Sequence, residues 1–405
     1  MKKIFEIALG IVTSVGGFLE IGSIATAAQA GAWFRFQLLW AVALGGLCLI
    51  FLVEQSGRLA AVSGHTLTDA IRERFALNYF VFMFVILTLV TLLVLTAEIG
   101  GVCIALELGT GIRFQWWAPL VGLIVWLLLW KGTFGVIEKG VSLLGLITIC
   151  FIVGAIMMRP SLSEVLSGVV PSAPQHDKYR YWFIAVSILG ASISPYLYLF
   201  YSSGAIEDKW DKSYLNTNRV IAASGMSFGS VISGAVLLLA GMVLLPAGLK
   251  VNHYSELRGL LVPVFGDWGV TLLCVSIGIA CLGAALEISL QIAYFAAQGF
   301  GWNWSENQKP REEARFSLTY TIVVGLATLV IFAGVDPLQL TIFSMVLTAA
   351  TLPVSIVPLL ILMNDARYVE DHGNGWIANG VVILIVALAF VLAIVSFPLQ
   401  LLGGG

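Results

Sequence analysis

The segment GGFLEIGSIATAAQAGAWF, residues 16–34, decides how this chain is read. It is apolar enough to cross a membrane, yet Glu20 sits within it and is followed at once by Gly22 and Ser23, residues that loosen a helix. An ionised carboxylate at the bilayer centre costs about 2.5 to 3.5 kcal/mol on insertion scales, so such a group usually faces a cavity and has a partner. The surrounding chain supports a membrane setting: of its 405 residues 59% are hydrophobic and only 11% are charged, the profile of a polytopic membrane protein. A spanning helix needs roughly 20 apolar residues. Eleven segments qualify, at about 5–30, 34–55, 78–108, 115–132, 138–158, 181–204, 218–246, 261–298, 316–334, 338–364 and 376–400. The expected fold class is therefore all-α, and the short polar links leave no room for a soluble domain. The opening MKKIFEIALGIVTSVGG runs into the Glu20 segment without a small-residue cleavage site and is read as retained.

A second interruption lies five spans further on. The sixth span carries GASISPYLYLFYSSGA, residues 190–205, where Pro195 has no amide to donate and breaks the backbone ladder. Paired interruptions at matching places point to an inverted-repeat transporter with its site near the midplane. The expected division is one repeat over 1–160, a second over 161–365, and an appended eleventh helix in 366–405. With the N-terminus inside, 14 of the 21 Lys and Arg fall on the inner face, among them Arg58, Arg74, Lys212, Lys309, Arg311, Arg315 and Arg367. The positive-inside rule thus favours a cytoplasmic N-terminus.

Three acids lie deep in apolar sequence: Glu20, Glu98 in LLVLTAEIGGVCIAL, and Glu287 in CLGAALEISLQIAY. No Lys or Arg lies at comparable depth, so an incoming cation is the natural partner. The bland alternative is a protonated acid bonded to a neighbouring helix, and it weighs more for Glu98 and Glu287 than for Glu20. Ser23 and Ser194 either line the site or bond back within their own helices. Tyr196, Tyr198 and Tyr201 are spaced so that they cannot all face one way. The five cysteines show no CxxC spacing and read as small buried hydrophobes, and the four histidines all fall in expected loops. Around both breaks the donors are oxygens: Glu20, Ser23, Ser194, Tyr196 and freed carbonyls such as that of Ala191. Such surroundings favour hard ions, Mg²⁺, Ca²⁺ or Mn²⁺, over softer transition metals.

These residues resemble the natural resistance-associated macrophage protein (Nramp) family of divalent metal transporters, over nearly the whole chain. Residues 16–40 resemble the family's first helix, TAEIGGVCIALEL (96–108) the third, IEKGVSLLGLITICFIVGAIMMRPSLSEVLSGVVP (137–171) the fifth and its following loop, residues 190–205 the sixth, and GVDPLQLTIFSMVLTAATLPVSIVPLLILMND (334–365) the ninth-to-tenth region. The resemblance implies the LeuT-like fold, two inverted five-helix repeats plus one helix. It also exposes departures. The family's Asp-Pro-Gly-Asn appears as Glu20-Ile21-Gly22-Ser23, and its Met-Pro-His as Ser194-Pro195-Tyr196, which loses the thioether and a histidine. A second histidine appears as Tyr201, the helix-3 aspartate as Leu95 and the helix-10 glutamine as Met345, while Glu98 survives from the proton route. Glu287 stands where a small or aliphatic residue is expected and reads as an added ligand.

The expected metal set is thus Glu20, Ser23, Ala191, Ser194, Tyr196 and Glu287, with Glu98, Tyr201 and Met345 as proton-handling or supporting residues. Loss of the thioether shifts the expected cargo toward Mg²⁺, as in the Nramp-related magnesium transporters, and loss of groups that titrate near neutral pH implies weak or absent proton coupling. Two other readings stay open: a carrier of a small polar or cationic organic solute held by Tyr196 or Tyr198, and a non-transporting homologue or sensor. An enzyme is disfavoured, because no nucleophile and base pair is visible in the membrane. No cofactor, nucleic acid or obligatory protein partner is expected, only the bilayer of a bacterial plasma membrane and the transported cation.

Overall fold

The computed structural model describes residues 20–131 and 143–403, and among these there is no strand. The expected first span, over 5–30, lies mostly outside the described residues, as do the first positions of the fifth. The longer helices are α1 (Ile21–Phe34), α2 (Leu39–Ser63), α3 (Leu67–Thr110), α4 (Phe114–Lys131), α5 (Ile149–Met157), α6 (Leu162–Val169), α7 (Lys178–Ser192), α8 (Pro195–Glu207), α9 (Leu215–Val243), α10 (Trp268–Phe300), α11 (Ala314–Phe332), α12 (Pro337–Leu362) and α13 (Trp376–Gly403). With α7 and α8 taken as one interrupted span, nine described helices are long and apolar enough to cross a membrane. A tenth is gained if Leu143–Met157 and Leu162–Val169, bent by 119°, form one span.

The boundaries follow local chemistry. Gly64 at φ 69° ends α2 and Gly111 at φ 77° ends α3, both in the left-handed region that glycine enters at little cost. Thr66 accepts from the Asp69 amide and starts α3 eleven residues before the expected 78. Its first turns carry Asp69, Arg72, Glu73 and Arg74, and a kink at Ala76 (φ 66°) separates them from the apolar run that hydropathy detects. Similarly α10 starts at Trp268, not at 261, because Gly266 at φ 57° turns the backbone first. The sharp bend after α5 falls at Arg159 (φ 50°) and Pro160.

Burial sorts the helices into inner and outer ones. The most apolar stretch of the interrupted span Lys178–Glu207 is 94% buried, whereas those of Phe114–Lys131 and Trp376–Leu402 are each 28% buried. The two outer helices present Trp116, Leu120, Leu123, Leu384 and Ile394, side chains suited to lipid. The helix with the broken backbone is therefore the one most enclosed by others, where irregular backbone is tolerated in a membrane.

Charges tie the helix ends together. Arg58 bonds Glu54, the His372 carbonyl and Asn374, Arg74 pairs with Asp365, and Lys212 with Glu370. Arg367 and Arg74 hold the Asp365 carboxyl well below the usual carboxylate range, and Lys212 lowers that of Glu370. Arg35 pairs with Glu164, and Trp33 lies between Arg180 and Lys250, whose cationic groups are 4.2 and 4.1 Å from its ring centre. Each set joins residues that charge bias assigns to one face.

Candidate functional site

The first break is at Glu20. Its backbone is extended (φ −113°, ψ 164°) and α1 begins at Ile21, so Glu20 stands in the N-cap position, but its side chain makes no capping bond. The free Ile21 amide is instead taken by Glu98, reaching across from α3: both carboxylate oxygens accept it, at 2.9 and 3.2 Å. Glu98 therefore caps α1 from another helix, doing for a buried helix end what water does at a surface. Ser23 Oγ donates to the Glu20 carbonyl at 2.9 Å, and Thr26 donates to the Gly22 carbonyl at 2.8 Å. Gly22 leaves room at the break for a side chain from another helix. A Cβ there would stand 2.6 Å from both the sulfur and the methyl carbon of Met345 on α12, so the missing side chain lets that thioether close on the break.

The second break lies between α7 and α8. Ile193 leaves helical geometry and Pro195 opens α8 at the position where its missing amide does no harm. Ser194 Oγ donates to the Gly190 and Ala191 carbonyls at 3.3 Å each and also approaches the Glu20 carboxyl. Tyr196 joins the two breaks by donating to Glu20 Oε2 at 2.8 Å. The other oxygen, Glu20 Oε1, is buried with no hydrogen-bond partner among the described residues. A buried carboxylate oxygen left this way is costly unless the acid holds a proton or a cation supplies positive charge. Tyr196 is also within electrostatic reach of Glu98 and Glu287.

The structure thus gathers Glu20, Ala191, Ser194, Tyr196, Glu98 and Met345 around two facing breaks, with Glu287 in reach of Tyr196. Ser23 is present, but its hydroxyl bonds back to its own helix. Tyr201 lies elsewhere: it donates to Asn218 on α9 at 2.9 Å, while Tyr198 meets Ser355. Among the described residues no three His, Cys, Asp or Glu side chains converge as a metal-holding group. An ion between the breaks would have to combine one carboxylate with hydroxyls and carbonyls. Sequence reasoning missed the closeness of Met345 to Gly22 and of Cys281 to Glu98, where a Cβ on Gly101 would lie 2.5 Å from the thiol sulfur. Both are contacts between remote helices, and the only local signal is a glycine facing a bulkier side chain.

The sequence profile described as natural resistance-associated macrophage protein-like matches residues 10–397. This chain belongs to the Nramp family. As an Nramp-family protein it is an integral membrane transporter and not an enzyme. It is similar to the divalent metal cation transporter MntH of Caldanaerobacter subterraneus subsp. tengcongensis, 24% identical over 372 residues that cover 88% of this chain and 84% of that one. In structure it is similar to the Eremococcus coleocola manganese transporter, solved with an aromatic bis-isothiourea substituted compound: TM-score 0.78, 21% identity, 96% of this chain and 85% of the other. It also shares its fold with Mhp1, a nucleobase-cation-symport-1 family transporter in a closed conformation, at TM-score 0.61 and 14% identity over 97% and 92% of the two chains. The Nramp chain therefore has the expected all-α, LeuT-like fold.

The capping bond gives a direct expectation for this Nramp protein. A buried donor left without its acceptor costs about 1–3 kcal/mol, so Glu98→Ala, which strands the Ile21 amide, should lower the thermal midpoint of the purified protein by a few degrees. Glu98→Gln, which keeps an acceptor for Ile21, should recover most of the loss. Equal midpoints for wild type and Glu98→Ala would show that the cap does not hold α1.

Proposed function

We propose that this Nramp-family chain carries a divalent cation across the membrane by alternating access, with Mg²⁺ the preferred cargo and Mn²⁺ or another hard cation also accepted, and with weak or absent proton coupling. The observation that carries this reading is Glu20 Oε1: a buried carboxylate oxygen without a hydrogen-bond partner among the described residues, between two helix breaks lined by oxygens. The ion would be held by Glu20, the Ala191 carbonyl, Ser194 and Tyr196, with Ser23 and Glu287 in support. Mg²⁺ keeps several waters when bound by one or two carboxylates, which suits a site with so few charges. That relatives are named for divalent metal cations and for manganese supports a metal cargo. The same oxygen donors suit Mn²⁺ as well as Mg²⁺, which is the second part of the reading. We place the two inverted repeats over 1–160 and 161–365 with an eleventh helix in 366–405, and the N-terminus on the cytoplasmic side of a bacterial plasma membrane.

The test is uptake of Mg²⁺ and Mn²⁺, side by side, into proteoliposomes that report lumenal pH, with empty liposomes as control. Both ions should enter, Mg²⁺ at least as fast, with little change in lumenal pH. Acidification that scales with cation entry would refute the weak coupling. Failure of both ions to enter would move the search to organic solutes.

A further inference from the structure

Helix α10 is largely apolar, yet Glu287, Gln291, Tyr294 and Gln298 lie on it at intervals of four, three and four residues. A helix turns about 100° per residue, so the four fall in one stripe roughly 60° wide. All are buried, at 6, 3, 0 and 1% exposure. The upper end of the stripe faces the candidate site, where Glu287 lies within electrostatic range of Tyr196. The lower end is a bonded cluster: Gln298 donates to Ser203 on α8 at 2.9 Å and accepts from Thr66 at 3.1 Å, while Tyr294 donates to Glu306 at 2.9 Å. Beyond it come Lys309, Arg311 and Arg315, residues that charge bias assigns to the inner face.

Between the two ends stands Gln291. Its carbonyl oxygen Oε1 is buried and has no hydrogen-bond partner among the described residues. A packing role alone would be better filled by an apolar side chain of the same size. From Glu287 to Gln298 the helix rises about 16 Å, half the roughly 30 Å thickness of a bilayer's hydrocarbon core.

We propose that this stripe is the inner half of the cation's route, and that Gln291 Oε1 is a transfer ligand which receives the partly hydrated ion between the central site and the Gln298–Ser203–Thr66 end. The inference rests on the cation-carrier reading above. Gln291 would act after binding, lowering the barrier to leaving and adding little to affinity.

The experiment uses Gln291→Met, close in size but without the carbonyl, and Gln291→Asn, which draws the carbonyl back by one methylene. Three quantities are read in the purified full chain: Mn²⁺ affinity, initial Mn²⁺ uptake into proteoliposomes, and thermal midpoint. Gln291→Met should bind Mn²⁺ within about twofold of wild type, keep or raise the midpoint, and take up Mn²⁺ at least about tenfold more slowly, the pattern of a residue used only after binding. Gln291→Asn should fall between the two. Wild-type uptake in Gln291→Met makes the stripe mere packing and overturns the proposal. Equal losses of affinity and uptake overturn it too, since they place Gln291 in the central site. If Gln291→Met does not fold, wild-type uptake in Gln291→Asn decides against the proposal in the same way. Absence of Mn²⁺ and Mg²⁺ uptake in the wild type instead sinks the cation reading itself.

Discussion

Glu20→Gln is expected to abolish cation uptake while the protein still folds. The glutamine carbonyl can accept the hydroxyl of Tyr196 in place of Glu20 Oε2, whose bond to it is 2.8 Å long, so the contact that joins the two breaks survives. What is lost is the negative charge, and with it the reason for a divalent ion to leave water for a buried site. Removing one member of a buried charge pair costs about 2–5 kcal/mol, and each 1.4 kcal/mol is a factor of about ten in affinity. Binding should therefore weaken by roughly thirtyfold to a few thousandfold, and uptake at micromolar cation should fall to the level of empty liposomes. The measurement is uptake and titration calorimetry with Mg²⁺ and Mn²⁺, alongside the thermal midpoint. Near-wild-type flux in a folded Glu20→Gln protein would remove Glu20 from the site.

Gly190→Ala should be nearly as damaging by a different cause. A Cβ at Gly190 would sit 2.1 Å from the Met345 carbonyl oxygen and 3.1 Å from the Ala349 Cβ. The first obstacle is backbone, which cannot rotate away, so α7 and α12 must separate. Overpacking typically costs about 1–3 kcal/mol, with more where backbone has to move. The separation would also drag Ala191, a proposed ligand, and lift Met345 from Gly22. A clear drop in thermal midpoint together with a loss of uptake of about tenfold or greater is expected. Gly204→Ala is the control: nothing lies within 4 Å of a Cβ there, and alanine improves an α8 helix position by up to about 1 kcal/mol. A Gly190→Ala protein as stable and active as the Gly204→Ala control would mean that α7 and α12 are not pressed together as described.

The sequence made the architecture legible through features that act locally. Apolar runs long enough to span a bilayer mark the helices, and Pro195 and the Glu20-Ile21-Gly22-Ser23 run mark the two breaks, because proline and glycine act on the backbone wherever they stand. Helix starts were less legible. Hydropathy sees the apolar part of α3 but not its charged first turns, which are helical because Thr66 caps them. Of the candidate residues, those at the breaks come together and Tyr201 does not. Its distance from the site is set by which way one turn of α8 faces, and a sequence without strong periodicity does not reveal that. The role of Glu98 was visible only as depth. That it caps α1 depends on α3 passing the start of α1, a relation between residues far apart in the chain. Gln291 passed unnoticed for a similar reason: one amide in an apolar helix is ordinary until its buried oxygen is found without a hydrogen-bond partner among the described residues.

The hydroxyls at the breaks bear on how an ion would come and go. Each half-helix end carries about half an elementary charge, and the carbonyl end of α7 already has a hydrogen turned toward it, that of Ser194 on Gly190 and Ala191. The hydrogen of Tyr196 likewise rests on Glu20. In the proposed route an arriving cation enters a lined place and not a bare one: it must rotate two O–H dipoles, after which the same oxygens present lone pairs to it. Loading is then a turning of two O–H groups to face away from one ion, with no proton lost. Their return accompanies its departure, so the groups that hold the ion also help to evict it, and grip is traded for turnover.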